Sequence, residues 1–297
     1  MADPMTENVQ GVTESGNPKI LKDNEAAMTA AGPGTEEYRA ILISRLFFRA
    51  AFPVMKVPLQ DDPKMKARFA DVAAVVQFRA ENGDTPLGCW LEFDRGEFRA
   101  VEGLHDHPDL TLGFPKVAEL NAMLTGGIAL PRIKGGLRNP GLLVKTLMLL
   151  MSLKLMMPSS RPKDPLKKYL KVKMTLYMIT TALSAYNKIH GGEMAEWTVR
   201  QPDRIYQFSV ESENPDERIA AYLRVKAGRT KAGRGTYVRR RPFVHFRFQG
   251  VDGALAVLLK DVEFVESVER GYAVVDGSPE YSAQLNDFMG LLQAMLT

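Results

Sequence analysis

The sequence has 297 residues, a length that predicts two domains of ordinary size rather than one. Hydrophobic residues make up 45% of the chain and charged residues 25%, as in a globular protein that can bury a substantial core. The formal net charge is +4 and the pI is near 9.0. This mild excess is far from the dense positive charge of a dedicated nucleic-acid-binding protein, so nucleic acid is disfavoured as a partner.

The single cysteine, Cys89, excludes an intrachain disulfide and a cysteine-based metal site, and we interpret it as a small buried side chain. The N-terminal residues lack the basic and apolar blocks of a signal peptide. The longest apolar run, residues 142–157, is interrupted by Lys145 and Lys154 and is shorter than the roughly 18–20 residues of a membrane span. We therefore expect a soluble, cytoplasmic protein.

The first half of the chain shows a helix followed by strands. Residues 1–34 are rich in Gly, Pro, Thr, Asn and Glu without periodicity, which predicts a disordered tail. Thr35 precedes two glutamates and an apolar helical face, the pattern of a capped helix. Strand-like runs then follow at 72–81, 87–96 and 97–104, the last two joined by a tight turn at Asp94-Arg95-Gly96.

Residues 107–127 change periodicity in the middle. Apolar residues alternate up to Phe114 and are then spaced by three or four from Val117, which predicts a strand followed by a helix. Gly126-Gly127 ends that helix, and Gly135-Gly136 turns the chain into a long Leu/Met-rich helix. We take 35–157 as the first domain.

The second half repeats this layout. Residues 158–195 read as a linker and bridging helix, and strands are predicted at 196–201, 204–211 and 218–227. Residues 241–261 then match 107–127 at a fixed offset of 134, and Gly136 matches Gly277 after a seven-residue insertion. A repeat this long indicates duplicated domains rather than a solenoid, so we take 196–297 as a second copy of the first domain.

With this order of elements, the first half resembles the sterol-carrier-protein-type-2 family of lipid-binding domains. The resemblance rests on Pro108-Asp109-Leu110-Thr111-Leu112, the helix ending Leu124-Thr125-Gly126, the segment RIKGG at 132–136, the apolar helix from about Pro140, and the upstream GCWLEFDRGEFRAVEGL. It covers about residues 36–157. The second half departs from the pattern, because Phe243 replaces the aspartate and Lys260-Asp261 replace the turn glycines. This departure puts ligand binding by the second copy in doubt.

The resemblance implies an α+β fold: two tandem domains, each a mainly antiparallel sheet of about five strands covered by helices. It also implies an apolar tunnel in the first domain for a fatty acid, acyl-coenzyme A, sterol or similar lipid. The residues expected to bind that ligand are apolar side chains of the strands, the following helix and the Leu/Met-rich helix. They are Trp90, Leu112, Phe114, Leu120, Met123, Leu124, Leu143, Leu147, Met148 and Met151.

Methionine suits a wall that fits varied apolar shapes, but a Leu/Met-rich helix is equally expected in an ordinary core. Its flanking lysines leave a third interpretation open, peripheral contact with an anionic membrane surface. The segment 226–241 adds seven positive charges and no acidic residue. It reads either as a solvated, flexible hairpin tip or as a site for lipid headgroups or coenzyme A phosphates, formed by Arg229, Lys231, Arg234, Arg239, Arg240 and Arg241.

Signals for catalysis are weak. The cluster His105-Asp106-His107-Pro108-Asp109 is interpreted as a solvated loop rather than a metal site, and no nucleophile elbow, phosphate-binding loop or zinc-protease motif occurs. We therefore expect no enzyme activity, cofactor or metal. The prediction is non-catalytic binding or transfer of a hydrophobic ligand. The alternatives are a duplicated scaffold that binds a protein and has no cavity, and an enzyme acting on a lipid thioester. The sequence leaves the oligomeric state open.

Overall fold

The computed structural model describes residues 18–212, 214, 218–262 and 264–296. The chain divides into two compact units. The first contains the described residues up to 59 together with 63–149, and the second contains 60–62 together with the described residues from 150 onward. Within these residues lie two five-stranded mixed sheets covered by helices, which confirms the predicted α+β class.

The first unit begins with helices and continues with a sheet. A π-helical turn (Phe47–Ala51) and a 3₁₀ turn (Phe52–Met55) interrupt its helical N-terminal part. The helices are α1 (Pro18–Ala31), α2 (Glu36–Leu46), α3 (Lys56–Asp61), α4 (Pro63–Phe69), α5 (Val117–Leu124) and α6 (Pro140–Leu153), and the strands are β1 (Ala73–Ala80), β2 (Leu87–Asp94), β3 (Glu97–Glu102), β4 (Leu110–Phe114) and β5 (Arg132–Lys134). Of these, α3 and α6 cross the division between the units.

The first sheet has the order β3-β2-β1-β4-β5, in which β1 and β4 are parallel and the other pairs are antiparallel. Alternate residues of β4 are buried, as the sequence pattern predicts. The Asp109 carboxylate accepts a hydrogen bond from the Val75 amide at 2.8 Å and so ties the start of β4 to β1. This aspartate therefore has a structural role within the segment that suggested metal ligands.

The capped helix predicted after Thr35 is confirmed, because the Thr35 hydroxyl accepts a hydrogen bond from the Tyr38 amide at 3.1 Å. The predicted disorder of residues 18–34 is wrong for 18–31, which form α1. Tertiary contacts hold this polar helix: Asn24 donates to Glu102 at 3.1 Å, and Met28 contacts Arg45 through its sulfur. Sequence periodicity does not detect such contacts. Residues 1–17 of the predicted tail lie outside the described residues.

The second unit has the same strand connectivity as the first. Its sheet has the order β10-β9-β6-β7-β8, with β6 and β9 parallel and the other pairs antiparallel. A 3₁₀ turn (Lys154–Met156) follows α6. The helices are α7 (Pro165–Ile189), α8 (Gly192–Val199), α9 (Gly250–Leu258), α10 (Phe264–Glu269) and α11 (Pro279–Leu296), and the strands are β6 (Asp203–Glu211), β7 (Ile219–Lys226), β8 (Arg229–Arg234), β9 (Val244–Gln249) and β10 (Ala273–Gly277).

Two predictions for this half are wrong. Residues 196–201, read as a strand, lie mostly in α8, because Met194 and Thr198 are buried at a spacing of four and Thr198 donates to Asn187 at 2.9 Å. Residues 158–195 do not form a separate linker. Their long helix, α7, packs on β7 and β8 as part of the second unit, and the division between the units falls at 149/150 rather than at 157.

Strand registers correct the predicted alignment of the repeat. Leu112 of β4 pairs with Ile133, and Phe246 of β9 pairs with Val275. Leu112 and Phe246 are 134 residues apart, whereas Ile133 and Val275 are 142 apart. The insertion is therefore eight residues rather than seven, and Gly277 corresponds to Gly135 rather than to Gly136.

These two glycines occupy the same tight position in each unit. Gly135 has φ +85° and Gly277 has φ +113°, and a Cβ at either would overlap a backbone carbonyl oxygen, that of Asp109 or Phe243 respectively. We expect Gly135→Ala and Gly277→Ala each to lower the free energy of unfolding by at least about 1–2 kcal/mol, the cost of a left-handed alanine, with the overlap adding to it. Trp90 fluorescence in a Trp197→Phe background, and Trp197 fluorescence in a Trp90→Phe background, report the two units separately during urea unfolding.

Gly96→Ala is the matched control, because Gly96 has φ +96° but open space around its Cβ position. This variant has only the conformational cost of an alanine in the left-handed region, so it should destabilise the first unit less than Gly135→Ala. Equal effects of the two substitutions would contradict the close approach at Gly135.

Candidate functional site

An apolar cavity of about 170 Å³ lies in the second unit. Its floor is formed by Phe208 and Phe248 on neighbouring parallel strands, and its walls come from α7, α9 and α11. Phe208 also stacks on Phe246, with the ring centroids 4.9 Å apart and the ring planes 6° from parallel. Packed aromatic rings give the cavity a fixed floor.

Helix α7 supplies one wall of the cavity. Asp164 caps this helix by accepting a hydrogen bond from the Lys167 amide at 2.9 Å, and Pro165 occupies the first turn. The cavity-lining residues of α7 recur at helical spacing and so share one face, which comprises Lys171, Thr175, Leu176, Met178, Ile179 and Ala182. This face is polar near the N-terminus of the helix and apolar further along.

Methionine contributes to three sides of the cavity. Met156 comes from the 3₁₀ turn, Met178 from α7 and Met289 from α11. Unbranched thioether side chains change rotamer easily and fit apolar partners of different shapes. The walls are therefore adaptable although the floor is not.

Lys171 lies at the polar end of the cavity and is 2% exposed. Its ammonium group donates hydrogen bonds to the carbonyl oxygens of Met157 at 2.8 Å and Ser160 at 2.9 Å. Burial, assisted by the nearby positive charge of Arg161, lowers the pKa of Lys171 to about 8. The ammonium group has three N–H donors, so one remains beyond the two carbonyl contacts found among the described residues.

Thr175 lies one turn after Lys171 on the same face. Thr175 lines the cavity, and its buried hydroxyl oxygen has no hydrogen-bond partner among the residues that the structure describes. A buried polar group without a partner is costly, and a bound ligand is one way to satisfy it. Lys171 and Thr175 together can therefore hold an anionic or hydrogen-bond-accepting group at the end of an apolar cavity.

None of the ten predicted ligand-binding residues lines this cavity. Leu112, Phe114, Leu120 and Leu124 are buried in the core of the first unit. Trp90 is half-buried, with its ring centroid 5.0 Å from that of His105. Met123 and Leu143 are partly exposed, and Leu147, Met148 and Met151 are exposed. A ligand site formed by these ten residues stays a prediction.

The arginine-rich segment is more ordered than a hairpin tip. Arg229, Lys231 and Arg234 lie on β8, which pairs with β7, and only Ala227-Gly228 form the turn. The Arg234 guanidinium lies 4.9 Å from the centre of the Tyr177 ring. Arg239, Arg240 and Arg241 are exposed, and Arg240 lies 3.3 Å from the Asp203 carboxylate. Side chains of the second unit thus contact Arg234 and Arg240, and anion binding by the segment stays a prediction.

One serine–histidine contact is present in the second unit. The Ser209 hydroxyl lies 2.9 Å from His245 Nε2 on neighbouring strands and 3.2 Å from the Glu211 carboxylate. Burial lowers the pKa of His245, and the adjacent Arg247 charge acts in the same direction. The pair lines neither of the two cavities described here. The described residues contain no group of three side chains placed to hold a metal ion.

A second, open cleft of about 350 Å³ lies between α8 and α11. Four acidic side chains and Arg200 surround the aromatic rings of Trp197, Tyr281 and Phe288. Trp197 is held in place by donating to Gln284 at 2.7 Å and by packing on Phe288, with 5.5 Å between ring centroids. These aromatic contacts tie α8 to α11.

Sequence reasoning missed the cavity because it placed the ligand in the first half. Lys171 shares a helical face with Thr175, Met178 and Ala182, but this pattern does not distinguish the wall of a cavity from a filled core. The replacement of a turn glycine by Lys260 had argued against ligand binding by the second half. In the structure Lys260 borders the cavity and has φ +56°.

No protein-family model and no curated protein matches the chain. Comparison with solved structures gives the following weak similarities. Among solved structures, palmitated SCP2L2 from Aedes aegypti is 15% identical with a TM-score of 0.26, over 37% of this chain and 90% of that one. The sec-alkylsulfatase Pisa1 from Pseudomonas sp. is 12% identical with a TM-score of 0.23, over 58% of this chain and 31% of that one. Both TM-scores are below 0.5, so these similarities do not assign the chain to a family.

None of the described helices is long and apolar enough to cross a membrane.

Proposed function

We propose that the protein binds a hydrophobic ligand without converting it chemically, and that the ligand occupies the cavity of the second unit. The observation that carries this proposal is a mainly apolar cavity with an aromatic floor, methionines in its walls, and the polar groups of Lys171 and Thr175 on one face of α7. Ligand sites in proteins share this design of apolar volume with a small number of placed polar groups.

The polar end favours an amphiphile as the ligand. The remaining N–H of Lys171 and the unpartnered hydroxyl of Thr175 would meet a carboxylate or another oxygen-rich head, while the tail would lie along Met178 and Ala182. The cavity of about 170 Å³ is smaller than the roughly 300–1,000 Å³ of sites for drug-sized ligands. A long acyl chain would therefore require the methionine side chains to move aside.

The alternative is a scaffold that binds a protein and has no ligand. The first unit is consistent with a scaffold, because Leu112, Phe114 and Leu120, which were predicted to bind ligand, are buried in its core. Whether the purified protein binds a ligand distinguishes the two functions.

Met289→Lys tests the proposed site by introducing a charge into the cavity wall. Desolvating an ammonium group costs several kcal/mol, so we expect the affinity for a fluorescent fatty-acid probe to fall at least tenfold. Native mass spectrometry of the purified wild-type protein should show co-purified ligand, and the variant should show the bare protein mass.

The matched control is Met148→Lys, the same substitution at an exposed position of α6. It should leave probe affinity unchanged. A wild-type protein that carries no ligand and does not bind the probe would contradict the proposed function. Loss of binding in Met148→Lys alone would move the site to the first unit.

A further inference from the structure

The first unit has an exposed apolar surface formed by residues 128–148. Ile128 and Leu137 are fully exposed, and Leu130 is 85% exposed. Ile133 of β5, with Val144, Leu147 and Met148 of α6, adds further exposed apolar area. We call this surface the 128–148 surface. Scattered exposed leucines are normal, whereas seven large exposed apolar side chains within 21 residues are a concentration typical of an interaction site.

The helical part of this surface is a single apolar face. Leu147 and Met148 lie three and four residues after Val144, so the three side chains project from the same side of α6. The opposite side faces inward, because Thr146 and Leu149 are buried. Strand β5 and the start of α6 approach each other at Gly136, where a Cβ would contact both Ile133 and Leu143.

Positive charge is interspersed with these apolar residues. Arg132, Lys134 and Arg138 are exposed and Lys145 is partly exposed, and none of the four forms an ion pair with a described residue. The sequence contains no acidic residue between Glu119 and Asp164. The whole chain, by contrast, has nearly equal numbers of both signs, with 39 basic and 35 acidic residues. The 128–148 surface therefore combines exposed apolar residues with basic residues, and the segment that forms it contains no acidic residue.

We infer that the 128–148 surface docks peripherally onto a bilayer that contains anionic lipid. Interfacial segments combine apolar side chains that enter the headgroup region with basic side chains that meet the phosphates. Each basic residue near an anionic surface adds to the attraction, and none here is neutralised within the described protein. A protein partner would need a matching acidic and apolar face, whereas an anionic bilayer presents both properties at every point.

Vesicle binding tests this inference independently of the cavity, because it needs no bound ligand. The full-length protein should co-sediment with vesicles of phosphatidylcholine and phosphatidylserine but not with phosphatidylcholine alone. Binding should weaken as NaCl is raised towards about 1 M, where the Debye length falls to about 3 Å.

Two sets of substitutions separate the contribution of the basic side chains to vesicle binding from that of the apolar side chains. Replacing Arg132, Lys134 and Arg138 with glutamine should lower the vesicle partition coefficient about 100-fold, at about fivefold for each charge. Replacing Ile128, Leu130 and Leu137 with serine should lower it at least about tenfold by removing the inserted apolar area. Because all six side chains are exposed, the thermal midpoint of both variants should match that of the wild type.

Val199→Ser and Val268→Ser are the matched controls, since both valines are exposed in the second unit. Vesicle binding should be unchanged in both. Full binding by either triple variant would overturn the inference. So would equal binding to phosphatidylcholine alone, or concentration-dependent dimerisation of a protein that does not bind vesicles, because a second copy would then cover the surface.

Discussion

Glu102→Gln is expected to lower the free energy of unfolding of the first unit by about 3–5 kcal/mol. The carboxylate of Glu102 is almost fully buried, lies 2.6 Å from Arg45 Nε, and also pairs with Arg49. Arg45 is itself 3% exposed. Glutamine keeps the shape of the side chain but leaves the buried Arg45 charge with only the exposed Glu25 carboxylate, 3.8 Å away, as a counter-charge. Removing one partner of a buried pair costs far more than the intact pair contributes.

Glu97→Gln provides the control on the same strand. Glu97 is 79% exposed and its contact with Lys56 is 3.5 Å, so its loss should change stability by no more than about 0.5 kcal/mol. Trp90 fluorescence during urea unfolding, in a Trp197→Phe background, reports the first unit for both variants. Equal stability of Glu102→Gln and Glu97→Gln would show that the buried pair does not support the fold.

The ion pair between Glu102 and Arg45 also determines how the stability of the first unit changes with pH. Burial alone would raise the pKa of Glu102, but the guanidinium groups of Arg45 and Arg49 hold it below its ordinary value of 4.5. The stabilisation is therefore complete above pH 4.5 and is lost as the pH falls through the lower pKa of the folded state. Acid should destabilise the wild-type first unit more steeply than the Glu102→Gln variant, because glutamine does not titrate.

The sheets were predictable from sequence because each strand carries its own signal. Alternation in residues 110–114 gave β4, and the turn at Asp94-Arg95-Gly96 gave the β2–β3 hairpin. Helix α1 was missed because its stability comes from contacts with Glu102 and Arg45, which are distant in sequence. Periodicity reports how a segment partitions between water and core, and Ala27 and Met28 are the only buried apolar residues among the described side chains of α1, too few to form a pattern.

The location of the cavity could not be predicted, because filled and hollow cores use the same residue types. Leu112 and Phe114 of the first unit correspond to Phe246 and Phe248 of the second, yet only Phe248 lines a cavity described here. The substitution of Phe243 for Asp109 also had a consequence that the sequence does not show. The Asp109 carboxylate ties β4 to β1, whereas the Phe243 ring packs against the Arg204 guanidinium at 3.9 Å.

A carboxylate-bearing probe should bind the second unit about 10–100-fold more tightly than its methyl ester near pH 7, because Lys171 supplies a charge-assisted hydrogen bond. The pKa of Lys171 is lowered to about 8, first by burial and then by Arg161. The preference for the acid should therefore weaken as the pH rises through about 8, although the bound anion shifts this midpoint upward. The affinity for the ester should stay constant over the same range.

In the unliganded protein, raising the pH has a favourable effect: it stabilises the second unit, although it weakens the preference for the acid. Between about pH 8 and 10.5 the folded Lys171 has lost its proton while an unfolded lysine keeps it, so the free energy of unfolding rises with pH. Lys171→Met should abolish both the acid preference and this rise. Lys168→Met, at a half-exposed lysine that pairs with Asp252, should change neither.

Lys171→Arg separates charge from a structural role. Arginine does not deprotonate in proteins, so this variant should keep its preference for the acid at the high pH at which the wild type has lost it. If Lys171→Met binds both probes and still prefers the acid, the head of the ligand lies elsewhere, with the cavity itself intact. If it binds neither probe while Lys171→Arg binds both, the contacts of Lys171 to Met157 and Ser160 shape the cavity instead. Measuring the acid-to-ester ratio in these variants therefore distinguishes recognition of the head from maintenance of the wall.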